Sequence, residues 1–183
     1  SREDALRYMT RIADGRSEDA LIERYIDCAP QMAKAVEELS AVQFSALAAY
    51  PDYHPEFDGG RPGGRSMETG LFDTNTLGEW ASVLRRSAIF GATPMSVAEA
   101  VEWGVFSNPL NLPYRELAKR FTDGLVCYGA SLVGGLLRGC IDAGVEPRVS
   151  TAMDGLIAED GAVVGAVIDG VRVGARRGVL LAC

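Results

Sequence analysis

Two dipeptides place the strongest constraint on how this chain folds. Asp160-Gly161 and Asp169-Gly170 lie a short strand's length apart, and β-branched residues flank both. An Asp-Gly pair suits the two positive-φ positions of a tight hairpin turn, so the chain is expected to reverse direction at each. Val163-Val164, Val167-Ile168, Val171 and Val173 supply strand-forming side chains around them. Short strands are predicted over 145–149, 152–159, 162–168, 171–176 and 178–182. The C-terminal part therefore reads as a small antiparallel β-meander with one final strand.

Upstream, the apolar spacing is helical. Ser1 and Asp4 resemble a capping pair for a helix over 2–13, with Leu6, Met9, Ile12 and Ala13 on one side. Asp14-Gly15 ends it. Ser17 is expected to cap a second helix through Leu21, Ile22, Tyr25 and Ile26. Pro30 fits the first turn of a third, which runs through Met32, Val36 and Leu39. Residues 41–48 read as extended. Further helices are predicted near 77–86, from the capping box Ser96–Glu99 to Gly104, over 113–122, and over 130–142 with Gly134-Gly135 inside. The expected fold class is α+β. A helical segment, 1–124, carries a long loop, 49–75, and residues 125–183 hold a helix and the meander.

That loop contains Tyr50-Pro-Asp-Tyr53-His-Pro-Glu-Phe-Asp-Gly-Gly-Arg-Pro-Gly-Gly-Arg65. Its sixteen residues include two tyrosines, the only histidine of the chain, three prolines and four glycines. Aromatic residues among so many breakers describe a rigid irregular segment, and functional groups concentrate on such loops. Tyr50 and Tyr53 are candidate proton donors, or bases if the anion is stabilised. The bland reading is two amphipathic rings packed on the helices. Arg61 and Arg65 could bind a carboxylate or phosphate, or pair with nearby acids such as Glu56, Asp58 or Glu68. His54 reads as a loop hydrogen-bonder. Gly129-Ala130-Ser131 precedes an apolar helix, where free N–H groups favour polar or anionic ligands. The alternative there is close packing of the helix through Gly134-Gly135.

Composition removes several functions. The 183 residues carry 25 acidic side chains against 18 Lys and Arg, a net charge of −7, which disfavours nucleic acid as a partner. No run is apolar and long enough for a membrane span. The four cysteines form no CxxC pair and one histidine leaves no zinc set, so no metal is expected and the thiols read as reduced and cytoplasmic. Gly129-Ala-Ser131-Leu-Val133 departs from Gly-x-Ser-x-Gly at its last position, and neither GxGxxG nor a P-loop occurs. The start at a helix cap and the stop at Gly178-Val-Leu-Leu-Ala-Cys183 suggest an excised segment, whose edge would favour self-association.

The stretch YPDYHPEFDGGRPGGRSMETGLFD resembles the corresponding part of flavin-dependent 3-ketosteroid dehydrogenases, within the fumarate reductase/succinate dehydrogenase flavoprotein superfamily. The stretch GASLVGGLLRGCIDAGVEPRVSTAMDGLIAEDGAVVGAVI, with GVLLAC after it, is similar to the superfamily's pattern of a helix leading into a β-meander. The match covers roughly 1–8 and 45–183. The resemblance implies the interior of an incomplete, Rossmann-like FAD-binding domain, with the dinucleotide motif and a capping domain outside this chain. It implies FAD as cofactor, not retained by this chain alone, a steroid-like substrate and A-ring desaturation, with an ene-reductase or another steroid dehydrogenase of the superfamily as the alternative. It carries an active-site role to Tyr53, with Tyr50 as the lesser choice. It also implies flavin contacts at Gly129, Ala130 and Ser131, and adenine-end contacts at Ala152 and Met153.

Overall fold

In the computed structural model, residues 1–87 and 93–182 are described, and they form two compact units, Ser1–Val145 and Glu146–Cys183. Mixed helices and small antiparallel sheets build the chain.

The first unit opens with α1 (Arg2–Ala13), whose capping box joins Ser1 and Asp4 as the sequence predicts. Tyr8 is its only buried residue, and the expected apolar side at Ile12 is exposed. Next comes α2 (Asp19–Leu39), one continuous helix with Pro30 inside it and Glu18, not Ser17, at its N-cap. The predicted break at Pro30 is thus corrected. Ile22, Ile26, Ala29, Ala33 and Val36 are buried or half-buried at alternating steps of four and three, in phase across the proline. One continuous inward face offsets the missing N–H, worth about 3 kcal/mol in a helix interior.

Strand β1 (Phe44–Ala46) pairs antiparallel with β2 (Met67–Thr69), Phe44 opposite Thr69. The predicted loop 49–75 is therefore shorter, because its last residues enter β2 and then β3 (Phe72–Asp73). A 3-10 segment, Thr74–Val83, replaces the helix predicted near 77–86 and is broken at Gly78 by a non-helical φ of 58°. Helix α3 (Val97–Glu102) carries the Ser96–Glu99 capping box, and α4 (Tyr114–Thr122) leads to β4 (Leu125–Val126), which pairs with β3.

Helix α5 (Tyr128–Asp142) buries Ser131, Gly134, Gly135 and Gly139, a stripe without bulk. A Cβ at Gly134 would meet the Phe72 ring at 2.7 Å, and one at Gly139 the Leu39 carbonyl oxygen at 2.5 Å. The core beside this face gathers Phe72, Leu77, Leu84 and Val126, with Trp80, Ala130, Leu137 and Ile141 against it.

The second unit is a three-stranded sheet of β5 (Met153–Glu159), β6 (Ala162–Ile168) and β7 (Val171–Gly174). Both predicted turns form with positive φ at each central residue: 49° and 79° at Asp160-Gly161, 49° and 75° at Asp169-Gly170. Glu159 faces Ala162 and Ile168 faces Val171 across them. The strands predicted at 145–149 and 178–182 are absent. A strand needs a partner for its backbone groups, and the pairings of this sheet are confined to β5, β6 and β7. Cys183 lies outside the described residues.

Candidate functional site

The loop between β1 and β2 leaves and returns through paired backbone. Leu47 N donates to Ser66 O at 2.9 Å, and Gly64 N to Leu47 O at 2.8 Å. The closure turns a long excursion into a compact loop with joined ends.

Inside it, Asp52 is the polar centre. Its side chain is 7% exposed and accepts from Arg65 Nη1 at 2.6 Å and from Arg61 N at 2.9 Å. Its own N–H donates to Arg61 O at 3.0 Å. Arg65 uses Nη2 to reach Gly59 O at 2.7 Å, and its guanidinium lies over the Tyr8 ring, 5.1 Å from the centroid. The Tyr8 hydroxyl accepts from His54 N at 3.2 Å.

Arg61 reaches across to Asp4 at 2.9 Å, and Arg7 to Asp58 at 3.0 Å. Hydrogen bonds from Arg61, then from the Ser1 hydroxyl and terminal amine, hold the Asp4 carboxyl well below the usual carboxylate range. The two loop arginines thus pair with acids, as one of the sequence readings has it, but with Asp4 and Asp52 instead of Glu56, Asp58 or Glu68. His54 is a loop hydrogen-bonder: Nδ1 lies 3.0 Å from Glu56 Oε1 and the ring stacks on Phe57 at 4.6 Å.

Against this background Tyr53 stands out. It is 90% exposed, and its hydroxyl has no hydrogen bond among the described residues. Tyr50, 41% exposed, sits at the loop's entrance, where its N–H donates to Leu47 O at 3.4 Å.

The second cluster is the N-terminus of α5. Cys127 makes no side-chain cap, so Gly129 and Ala130 begin the helix with N–H groups that have no intrahelical acceptor. Tyr128 has a φ of 57°, rare for a bulky side chain, and its carbonyl accepts from Thr69 Oγ1 at 3.3 Å. Burial pushes both the Cys127 thiol and the Tyr128 phenol up from their ordinary values. Gly129 borders open space. Ala130 packs on the core. Ser131 is buried and donates its hydroxyl to Gly70 O at 2.5 Å, so its side chain is engaged within the fold.

A cavity of about 340 Å³ opens here, lined by Arg85, Arg86, Ser87, Cys127, Tyr128, Gly129, Ala130 and Val133. Sequence reasoning began this cluster at Gly129 and missed Tyr128, Arg85 and Arg86. The run Cys127-Tyr-Gly held no visible signal of the positive φ. Strand β2 links the clusters, because the tyrosine loop returns into Met67 and Thr69 touches Tyr128. Ala152 and Met153 belong to the second unit, where both are exposed and Met153 opens β5 opposite Ile168.

Among the described residues no group of His, Cys, Asp and Glu could hold a metal ion, and no helix is long and apolar enough to cross a membrane. The α5 N-terminus suits one edge of FAD, since N–H donors and two arginines border an open cavity. The tyrosine loop's own arginines are engaged with Asp4 and Asp52, and the open cavity of about 780 Å³ beside it sets Arg7 and Arg11 among the carboxylates of Asp14, Glu56 and Asp58.

Comparison with known proteins gives consistent results. The profile of the family described as FAD binding domain matches residues 1–183. A 3-oxosteroid 1-dehydrogenase of Mycobacterium tuberculosis (strain ATCC 25618 / H37Rv) is 31% identical over 202 residues, covering 99% of this chain and 36% of the relative. A 4-oxocyclohexanecarboxylate 2-dehydrogenase of Sinomonas cyclohexanicum is 31% identical over 186 residues, covering 97% and 31%. The crystal structure of 3-ketosteroid delta1-dehydrogenase from Sterolibacterium denitrificans, in complex with 1,4-androstadiene-3,17-dione, superposes with a TM-score of 0.86 at 26% identity. That match covers 97% of this chain and 36% of the other. The chain spans about a third of the length of these relatives.

Proposed function

Because the chain belongs to the FAD binding domain family, we propose that it is the interior part of a flavin-dependent oxidoreductase that desaturates the A ring of a 3-ketosteroid. The observation that carries this reading is Tyr53: an exposed phenol on a tightly tied loop, in a chain similar over nearly its whole length to 3-oxosteroid 1-dehydrogenases. A ring ketone acidifies the neighbouring α C–H. Tyr53 presents its phenol to the ketone-bearing ring and supports removal of the α proton by a second tyrosine outside this chain. FAD, when bound, supplies the two-electron acceptor for the hydride that leaves the β carbon. The electron pair of the α C–H bond becomes the new double bond. Gly129 and Ala130 would meet the cofactor through backbone N–H groups, while Ser131 holds the helix start to Gly70. Ala152 and Met153 would meet its adenine end. Tyr50 would line the pocket's entrance.

Replacing Tyr53 by Phe in the FAD-loaded enzyme is expected to lower turnover of a 3-ketosteroid about 10²-fold, the usual scale for a proton-transfer group. Bound flavin, read from the visible spectrum, should stay unchanged. Undiminished turnover would remove Tyr53 from the chemistry.

A second reading has its own support, because one relative at equal identity is named for a monocyclic ketone, 4-oxocyclohexanecarboxylate. In that case the same groups act on a smaller ring ketone. Assaying both substrates with the parent enzyme separates the two.

The isolated chain is proposed to be inactive and unable to retain FAD, since it holds one edge of the site and no GxGxxG motif. Gel filtration after mixing with FAD tests this. Flavin eluting in stoichiometric amounts with the chain would contradict it.

A further inference from the structure

The hydrogen bonds of the tyrosine loop converge on the residues either side of Tyr53 and leave Tyr53 itself untouched. On the N-terminal side, Asp52 is held through three contacts: its carboxylate to Arg65 at 2.6 Å and to Arg61 N at 2.9 Å, and its N–H to Arg61 O at 3.0 Å. On the C-terminal side, the His54 N–H is held by the Tyr8 hydroxyl at 3.2 Å. Arg65 joins the two supports, because the guanidinium that binds Asp52 also lies on the Tyr8 ring. Tyr8 is buried, the Asp52 side chain is 7% exposed and that of Arg65 25%. The Asp52–Arg65 and His54–Tyr8 bonds are therefore partly shielded from water, which strengthens them relative to fully exposed pairs.

A loop that needed only to be closed would be served by the backbone bonds at Leu47. These additional contacts fix the Cα of Tyr53 from both sides while its side chain projects outward. We propose that Asp52, Arg65 and Tyr8 are positioning residues that bracket Tyr53 and present its phenol in a fixed direction to the reacting ring. This rests on the proposed role of Tyr53 and adds which residues aim it. Arg65 is thereby a structural clamp, with both faces of its guanidinium chemistry used inside the protein. A misplacement of about 1 Å in an aligned group can cost 10²-fold in rate, so loosening the bracket should be felt in kcat.

The test uses the full-length FAD-loaded enzyme carrying this segment, with Arg65→Gln, Tyr8→Phe and Tyr53→Phe, singly and combined. Arg65→Gln is expected to lower kcat at least tenfold with KM changed less than about twofold. Tyr8→Phe removes one acceptor and keeps the ring, so its loss should be smaller, and it serves where Arg65→Gln does not fold. Flavin absorbance reports an intact fold in each.

Two readouts separate positioning from general structure. Hydrogen exchange of the peptide over 50–60 should speed up in both variants, with α5 unchanged. In the Tyr53→Phe background neither substitution should lower kcat further, because the bracket acts only through that phenol. Losses that multiply in the combined variants, or unchanged exchange over 50–60, overturn the bracket. Undiminished turnover in Tyr53→Phe alone overturns instead the role of Tyr53 on which the bracket depends.

Discussion

The tyrosine loop and the α5 helix are both tightly held, by opposite means. Between residues 48 and 66 the loop has no fully buried apolar side chain. Its backbone is held by carboxylate–guanidinium pairs, by single N–H donations and by close approach to α1. A Cβ at Gly59, where φ is 79°, would come within 2.2 Å of the Asp4 carbonyl oxygen. Helix α5 instead seats a stripe of Ser and Gly against Phe72, Val42 and Leu39, and its hydrogen bonds to Ala41, Thr69, Gly70 and Thr76 flank that apolar seat. The lesson lies in how each fails. Apolar close packing is shared by every neighbour, so damage to it spreads. Polar ties at a surface can release locally while the rest of the molecule stays folded.

The larger expected effect belongs to the helix. Gly139→Ala adds a methyl that would lie 2.5 Å from Leu39 O and 2.8 Å from the Ser40 Cα and Cβ. The closest atom is backbone and cannot rotate aside, so α2 and α5 must separate. Overpacking of this kind costs about 1–3 kcal/mol, and the rigid neighbour argues for the upper half. Urea unfolding should show the loss as a lower midpoint with unchanged slope. A loss under about 0.5 kcal/mol, the scale of an ordinary surface substitution, would mean that the α2–α5 contact is loose. The comparison would then lose its first half.

The two regions also differ in what their sequences disclose. The seat of α5 is foreshadowed by Gly134-Gly135 inside an apolar helix, one of the two readings the residues support. The hairpin turns were equally legible, since Asp-Gly encodes its positive φ locally. So were both capping boxes, each contained within four residues. The loop's ties are invisible by the same logic. Asp52 pairs with Arg65 thirteen positions away and Arg61 with Asp4 fifty-seven away, and any of several nearby acids fits the arginines equally well on sequence. Tyr8 reads as a helix-face aromatic, and nothing local marks its hydroxyl as an acceptor for His54. Pro30 misled for a related reason. Its local cost is plain in sequence, while the inward face that offsets it becomes visible only when both halves of α2 pack together. Residues 178–182 carry strand-like composition, but pairing depends on a partner that composition does not supply. Among the candidate site residues, Tyr53 is preferred over Tyr50 by the family resemblance of Pro-Asp-Tyr53-His-Pro and not by local chemistry, whereas Tyr128 needed its φ to be seen.

Gly59→Ala gives the smaller global effect and the sharper test. Its cost has two parts, a left-handed conformation worth about 1–2 kcal/mol for a residue with a Cβ and the contact with Asp4 O. Added together these would rival Gly139→Ala if the loop were bound to the core. The loop has a cheaper route, because two of the links it makes to α1 near this point, Arg61–Asp4 and Arg7–Asp58, involve half-exposed or more exposed arginine and Asp58 side chains and can be exchanged for water, while the Arg65–Gly59 and Tyr8–His54 bonds are single hydrogen bonds. The protein therefore loses no more than the free energy of opening that segment. Urea stability is expected to fall by about 1 kcal/mol or less, near the scale of losing two such links. Amide exchange over 50–65 should rise by up to about fivefold, the factor corresponding to about 1 kcal/mol of local opening. Turnover should fall along with it, since a detached loop no longer aims Tyr53. If Gly59→Ala instead lowers the urea midpoint as far as Gly139→Ala while exchange over 50–65 rises only with global unfolding, the loop belongs to the cooperative core. The contrast between a releasable loop and a packed helix would then be wrong.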